Sequence, residues 1–192
     1  MGRIERTVFI SYRRTNFWIA FAVYQNLTAR GYDVFIDYKN IKSGDFEQVI
    51  VGNIKARAHF IIILTPSALE KCNEPNDWLR REIELALESK RNIVPLVFEG
   101  FEFNNPINVN ALTGKMEKLK YYNALSVPIL YFETAMERLH NDFLNITLEA
   151  VLHPLSIDTE NQHRYNKLLP TKHLLLQKNN SRLKDGPRRD TH

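Results

Sequence analysis

His59-Phe60-Ile61-Ile62-Ile63-Leu64 is the most uniformly apolar run of the chain and lacks the alternation of a strand with one wet face. A strand of this kind is buried on both sides, as at the centre of a parallel sheet. Parallel neighbours need helical crossovers, and the flanking residues supply them. Upstream, Phe46, Val49, Ile50, Ile54 and Ala58 recur at helical spacing. Downstream, Leu79, Ile83, Ala86 and Leu87 form one stripe at about 100° per residue, with the stem of Lys90 beside them.

Further out, residues 7–12 and 32–37 read as short β-branched and aromatic strands. Between them a helix over residues 17–30 is capped by Thr15 or Asn16 and stopped by Gly31. Ile19, Ala22, Val23 and Leu27 supply its inward stripe. Residues 92–98 read as a fourth strand, which Pro95 places near an edge or a bulge. Residues 99–126 read mostly as loop, with a short helix over 115–119. Residues 127–130 read as a brief fifth strand and 131 to about 151 as a last helix, with Ala135, Leu139, Phe143, Ile146 and Ala150 on one face. Strand and helix alternate throughout, which predicts a doubly wound α/β domain over residues 1–152. Residues 153–192 lose the pattern and read as a basic tail, flexible or forming a short docking segment.

Composition narrows the classes. The 192 residues are 44% hydrophobic, enough for one domain of about 150 residues with a real core. A single cysteine, Cys72, excludes an internal disulfide framework and a multi-cysteine zinc site, and favours a reducing compartment. There is no apolar run of the ~18 residues a membrane span needs, and residues 1–6 lack the apolar segment of a signal peptide. The chain therefore reads as soluble and cytoplasmic. Its net charge of +4 resides in the tail: residues 1–150 carry 18 Lys and Arg against 18 Asp and Glu, and residues 151–192 carry 8 against 4. A neutral domain argues against a nucleic-acid face on it.

In an open parallel sheet, ligands bind beyond the carboxyl ends of the strands, where the strand order reverses. With the order 2-1-3-4-5 this crevice lies between the first and third strands. Arg13 and Arg14 end the first strand, and the helix after the third carries Glu82. Glu82 flanks the core stripe, between it and a second apolar edge of Trp78 and Leu85. A carboxylate so bracketed is either desolvated and poised for chemistry or bent back to water beside Trp78. Two arginines and an acid facing one cleft suit a phosphate-bearing substrate near a centre that develops positive charge. No Gly-x-Gly-x-x-Gly or Walker loop is present, so a resident nucleotide cofactor has no motif here. Ser11 and Ser67 end strands without a histidine at triad spacing, and His59 and His140 read as structural or solvated. Cys72 reads as inert packing.

Five linked motifs carry a family resemblance. Phe9-Ile10-Ser11-Tyr12-Arg13-Arg14, Val34-Phe35-Ile36-Asp37 with Ile41-x-x-Gly44-x-Phe46, Leu64-Thr65-Pro66-Ser67-Ala68-Leu69, Asp77-Trp78-x-x-x-Glu82 and Asn92-Ile93-Val94-Pro95-Leu96 resemble, in order and spacing, those of TIR domains. The resemblance runs from residue 7 to about 150 and is strongest to the NAD-cleaving branch, which includes bacterial TIR proteins and the TIR domain of the animal axon-degeneration NADase. It implies a flavodoxin-like five-stranded sheet and cleavage of the nicotinamide–ribose bond of NAD, with NAD as substrate and neither cofactor nor metal. By position, Glu82 matches the catalytic glutamate; Arg13, Arg14, Lys42, Gly44, Leu69 and Trp78 match substrate-contacting or site-lining positions. Lys42 stands where the axonal enzyme has an acid, and Asn40 where it has a lysine. The resemblance further implies activation by TIR–TIR self-association, a separate sensor or effector, products among ADP-ribose and its cyclic isomers, and a setting in bacterial anti-phage signalling. The competing implications are a non-enzymatic TIR scaffold and an effector that subverts host signalling; the scaffolds generally lack the glutamate.

Overall fold

The computed structural model describes residues 5–37, 46–74 and 76–146. Five parallel strands form one sheet: β1 (Thr7–Ser11), β2 (Asp33–Ile36), β3 (His59–Leu64), β4 (Asn92–Phe98) and β5 (Leu125–Val127), in the order β2-β1-β3-β4-β5. The expected doubly wound sheet is thus present, with its reversal between β1 and β3. All six residues of β3 are buried, as its unbroken apolar run requires.

The sheet separates two cores. On one face, α1 (Phe17–Ala29) and α5 (Phe132–Arg138) cover Val8, Ile10, Ile61 and Ile63. On the other, α2 (Phe46–Ala56), α3 (Trp78–Glu88) and α4 (Pro106–Ala111) cover Phe9, Phe60 and Ile62. There the ring of Phe9 stacks between Phe35 at 5.2 Å and Phe60 at 5.3 Å, so aromatic packing ties the first three strands together beneath the crevice. Among the described residues no helix is long and apolar enough to cross a membrane.

Several local readings need correction. α1 buries Ala20, Val23, Tyr24 and Leu27, so its inward face is rotated from the expected stripe: Ile19 is only partly covered and Ala22 is exposed. Residues 99–126 are more ordered than a loop. Asn105 caps α4 by accepting from the Ile107 N–H at 3.0 Å, with Pro106 in the first turn, and a 3-10 helix follows over Gly114–Tyr121. β5 lies earlier than 127–130, because Pro128 has no N–H for the ladder; Ile129–Tyr131 instead forms an exposed 3-10 turn. β4 is an inner strand. Pro95 stands in register with Ile62 of β3, while β5 pairs with β4 only from Leu96 onward. The last helix loosens from α5 into a π-helical stretch, Leu139–Leu144, and its expected continuation falls outside the described residues, as do residues 153–192.

α3 ends with Lys90 at φ 52°, a left-handed backbone that glycine adopts without penalty. Lys90→Gly is therefore expected to raise stability by about 0.5–1 kcal/mol. The measurement is the midpoint of urea unfolding, and an unchanged or lower midpoint would contradict it.

Candidate active site

A cleft of about 480 Å³ opens beyond the carboxyl ends of β1 and β3, at the reversal of strand order. Phe9 and Ile10 form its floor; Tyr12, Arg13 and Arg14 come from the chain leaving β1, and Asp37 from the chain leaving β2. Trp78, Leu79 and Glu82 come from the first turns of α3. That size is ample for a cofactor-sized ligand.

Glu82 keeps an intermediate share of its surface open to the cleft, yet the protein packed around its carboxyl strips away most water. Burial drives its pKa up from an ordinary 4.5 to about 8. The hydrogen bond from Ser11 opposes this, the charges of Asp37 and Asp77 reinforce it, and Arg13 opposes it weakly. Ser11 Oγ donates to Glu82 Oε2 at 2.5 Å. Of the two readings open in the sequence, the structure shows the desolvated one.

The two arginines part company. Arg14 is 72% exposed, its Nη2 4.0 Å from Asp37 Oδ2, so it can swing toward a ligand. Arg13 lines the cleft but is committed to the protein. Its Nη1 donates to Asp77 Oδ2 at 2.5 Å, its Nη2 to Asp77 Oδ1 at 3.2 Å, and both Nε and Nη2 to the Ala68 carbonyl at 3.0 and 2.9 Å. With side chains 17% and 5% exposed, Arg13 and Asp77 form a half-buried, bidentate pair. The expectation that Arg13 contacts substrate therefore meets a prior duty, fastening the loop after β3 to α3. Arg13 holds the Asp77 carboxyl below its usual range despite burial, and Asp77 also caps α3 by accepting from the Arg80 N–H at 3.0 Å.

Trp78 stands edge-on to Phe46 at 4.9 Å, and the Arg81 guanidinium lies 4.5 Å over its ring while pairing with Glu47 of α2. It thus forms part of the wall of the cleft. Leu69 does not line it. Residues 65–72 coil into tight turns, with Ala68 N–H to Thr65 C=O at 2.9 Å and Cys72 N–H to Leu69 C=O at 2.9 Å, and these turn Leu69 wholly into the core. Lys42 and Gly44 lie outside the described residues. Cys72 is buried beside Asp77, and burial pushes its thiol up to about 12, which agrees with inert packing. His59 and His140 are structural: His59 bonds the Glu5 carbonyl and Asn92, and His140 bonds Tyr32. Among the described residues no three His, Cys, Asp or Glu side chains gather as a metal site would require. Ser11 and Asp77 join the site unannounced by the sequence, because their partners lie 71 and 64 positions away, and only the serine's place at the end of β1 hints at a role.

A family model described as TIR domain matches residues 8–139. The chain belongs to the TIR domain family. Among curated relatives, this TIR domain is 37% identical over 122 residues to NAD(+) hydrolase tir-1 of Caenorhabditis elegans, covering 62% of this chain and 12% of that protein. It is 32% identical over 136 residues to NAD(+) hydrolase sarm1 of Drosophila melanogaster, covering 69% of this chain and 10% of that one. The chain thus spans only about a tenth of these relatives. Among solved structures, the TIR domains of the activated Roq1 resistosome directly recognizing the pathogen effector XopQ share its fold, at 15% identity and a TM-score of 0.53, over 71% of this chain and 98% of that one.

Proposed function

We propose that the cleft cleaves the bond between nicotinamide and ribose in NAD. The observation that carries this reading is Glu82, a desolvated carboxylate on the wall of an open cleft. It stands in a TIR domain whose curated relatives bear the name NAD(+) hydrolase. As the bond from ribose C1′ to the pyridinium nitrogen breaks, its electron pair goes to that nitrogen and nicotinamide leaves neutral. Positive charge passes to C1′ and the ring oxygen. A carboxylate at hand stabilises such an oxocarbenium-like state, as in glycoside hydrolysis. Glu82 serves when ionised. The cationic ring of the substrate favours that form, offsetting part of the desolvation.

Water adding to C1′ then gives ADP-ribose, and an adenine nitrogen adding there gives a cyclic isomer, each with loss of one proton to solvent. Arg14 at the rim suits the diphosphate, and Trp78 offers an apolar wall. Self-association, a separate sensor or effector, the cyclic product, a cytoplasmic location and a setting in anti-phage signalling belong to the same proposal. They rest on the resemblance of the motifs and, for the location, on the lone cysteine.

Incubating concentrated protein with NAD should release nicotinamide, resolved by chromatography, and the second product peak distinguishes hydrolysis from cyclisation. If assembly completes the site, specific activity rises with protein concentration and with a crowding agent; a strictly linear total rate from dilute to crowded solution contradicts that part. No nicotinamide from assembled protein would leave the scaffold reading in its place.

A further inference from the structure

We propose that Ser11 is a positioning residue, which orients the carboxylate of Glu82 from behind and sets the pH at which it ionises. The inference rests on the role given to Glu82 above.

The geometry is specific. Ser11 is the last residue of β1, beside Ile62 of β3, and only 1% of it is exposed. It does not line the cleft, whereas Glu82 does. Its hydroxyl therefore reaches the carboxylate from the sheet side, at 2.5 Å from Oε2. One oxygen of Glu82 is thus tied to a buried position of the sheet. The side chain has three rotatable bonds, and this tie fixes their setting as an unanchored carboxylate on a helix surface could not.

The same hydrogen bond favours the ionised form, because a hydroxyl donates more strongly to a carboxylate than to a neutral acid. It works against most of its neighbourhood. Asp37 beyond β2 and Asp77 at the cap of α3 disfavour a further negative charge, and the apolar packing disfavours any charge. Arg13 acts in the same direction as Ser11 but is already neutralised by Asp77. On the α2 side, Glu47 and Arg81 pair with each other beside Glu82. Ser11 is the hydroxyl donor to the carboxylate among the described residues, so its removal acts on ionisation directly.

The test is a titration of the Glu82 carboxyl carbon by NMR on protein labelled at glutamate carboxyls, assigned with Glu82→Gln, in parallel with the pH dependence of nicotinamide release. Ser11→Ala removes one oxygen, and Ser11→Cys keeps a weaker donor. The expected order of titration midpoints is Ser11, then Cys, then Ala. Ala should weaken the acid by about tenfold, and the alkaline rise in kcat should move by the same amount. Ser11→Thr, which restores the hydroxyl, should return both toward the native values. A native midpoint in Ser11→Ala overturns the proposal, whatever happens to the rate. The titration needs no activity, so the two readings fail separately. Shifted midpoints without nicotinamide release from any form leave the hold on Glu82 standing and remove NAD cleavage; release with unshifted midpoints does the reverse.

Discussion

Glu82→Gln is expected to cut nicotinamide release severely and, at the same time, to make the protein more stable in alkali. The amide keeps the shape and an oxygen for Ser11 but carries no charge to set against the oxocarbenium-like centre, a loss of about 10²–10³ in kcat or more. The stability effect follows from linkage. The folded pKa of Glu82 is about 8 against an ordinary 4.5, so the unfolded chain releases this proton first. The native protein bears no penalty below about 4.5, loses stability as pH rises through the window to 8, and carries a constant deficit above it. The full shift corresponds to about 5 kcal/mol, and the side open to the cleft reduces it to about 3 kcal/mol. Urea unfolding of both proteins at pH 4 and pH 9 measures this. Curves that coincide in acid and separate in alkali, with Gln the more stable, are the expected outcome; equal separation at both pH values would show that Glu82 is not desolvated.

Asp77→Ala should have the opposite sign and a comparable size. Removing the carboxylate leaves the Arg13 guanidinium half-buried without its counter-charge, at about 3 kcal/mol, and takes away the N-cap of α3, at about 1 kcal/mol more. Arg13→Met should cost less, since Asp77 keeps the Arg80 N–H and the Cys72 thiol as donors. Comparing both single variants with the double variant isolates the pair. A coupling near zero would mean that the pair is only a surface contact. Because the pair ties the loop after β3 to the helix that carries Glu82, nicotinamide release should fall in Asp77→Ala even under conditions where the domain remains folded.

The fold was largely legible because its main strands are written as apolar blocks. His59–Leu64 can be little else than a central strand, and the Asn105–Pro106 pair before α4 is a cap signal inside a stretch whose composition otherwise reads as loop. β5 is harder to place because its three residues carry little pattern and Val127 runs on, across Pro128, into the apolar Ile129–Tyr131. At the site, the unusual setting of Glu82 was visible as an acid on an apolar flank. The direction of Arg13 was not. An arginine at a strand end reads as a free cation until its partner is known, and Asp77 reads equally well as a simple helix cap. Leu69 followed its motif, but only the turns after β3 decide that it points into the core.

The hydrogen bond from Ser11 to Glu82 joins residues 71 apart in the chain, across a sheet in which β3 must first dock on β1. Contacts so distant in sequence form late, after the entropy of closing a long loop has been overcome. Residues 1–81 therefore cannot hold the site however well they collapse, and during synthesis the growing chain passes through all of its first three strands before a competent carboxylate exists. If the domain consumes NAD, a chain that stops before Glu82 lacks the carboxylate, and activity requires β1, β3 and α3 to have come together.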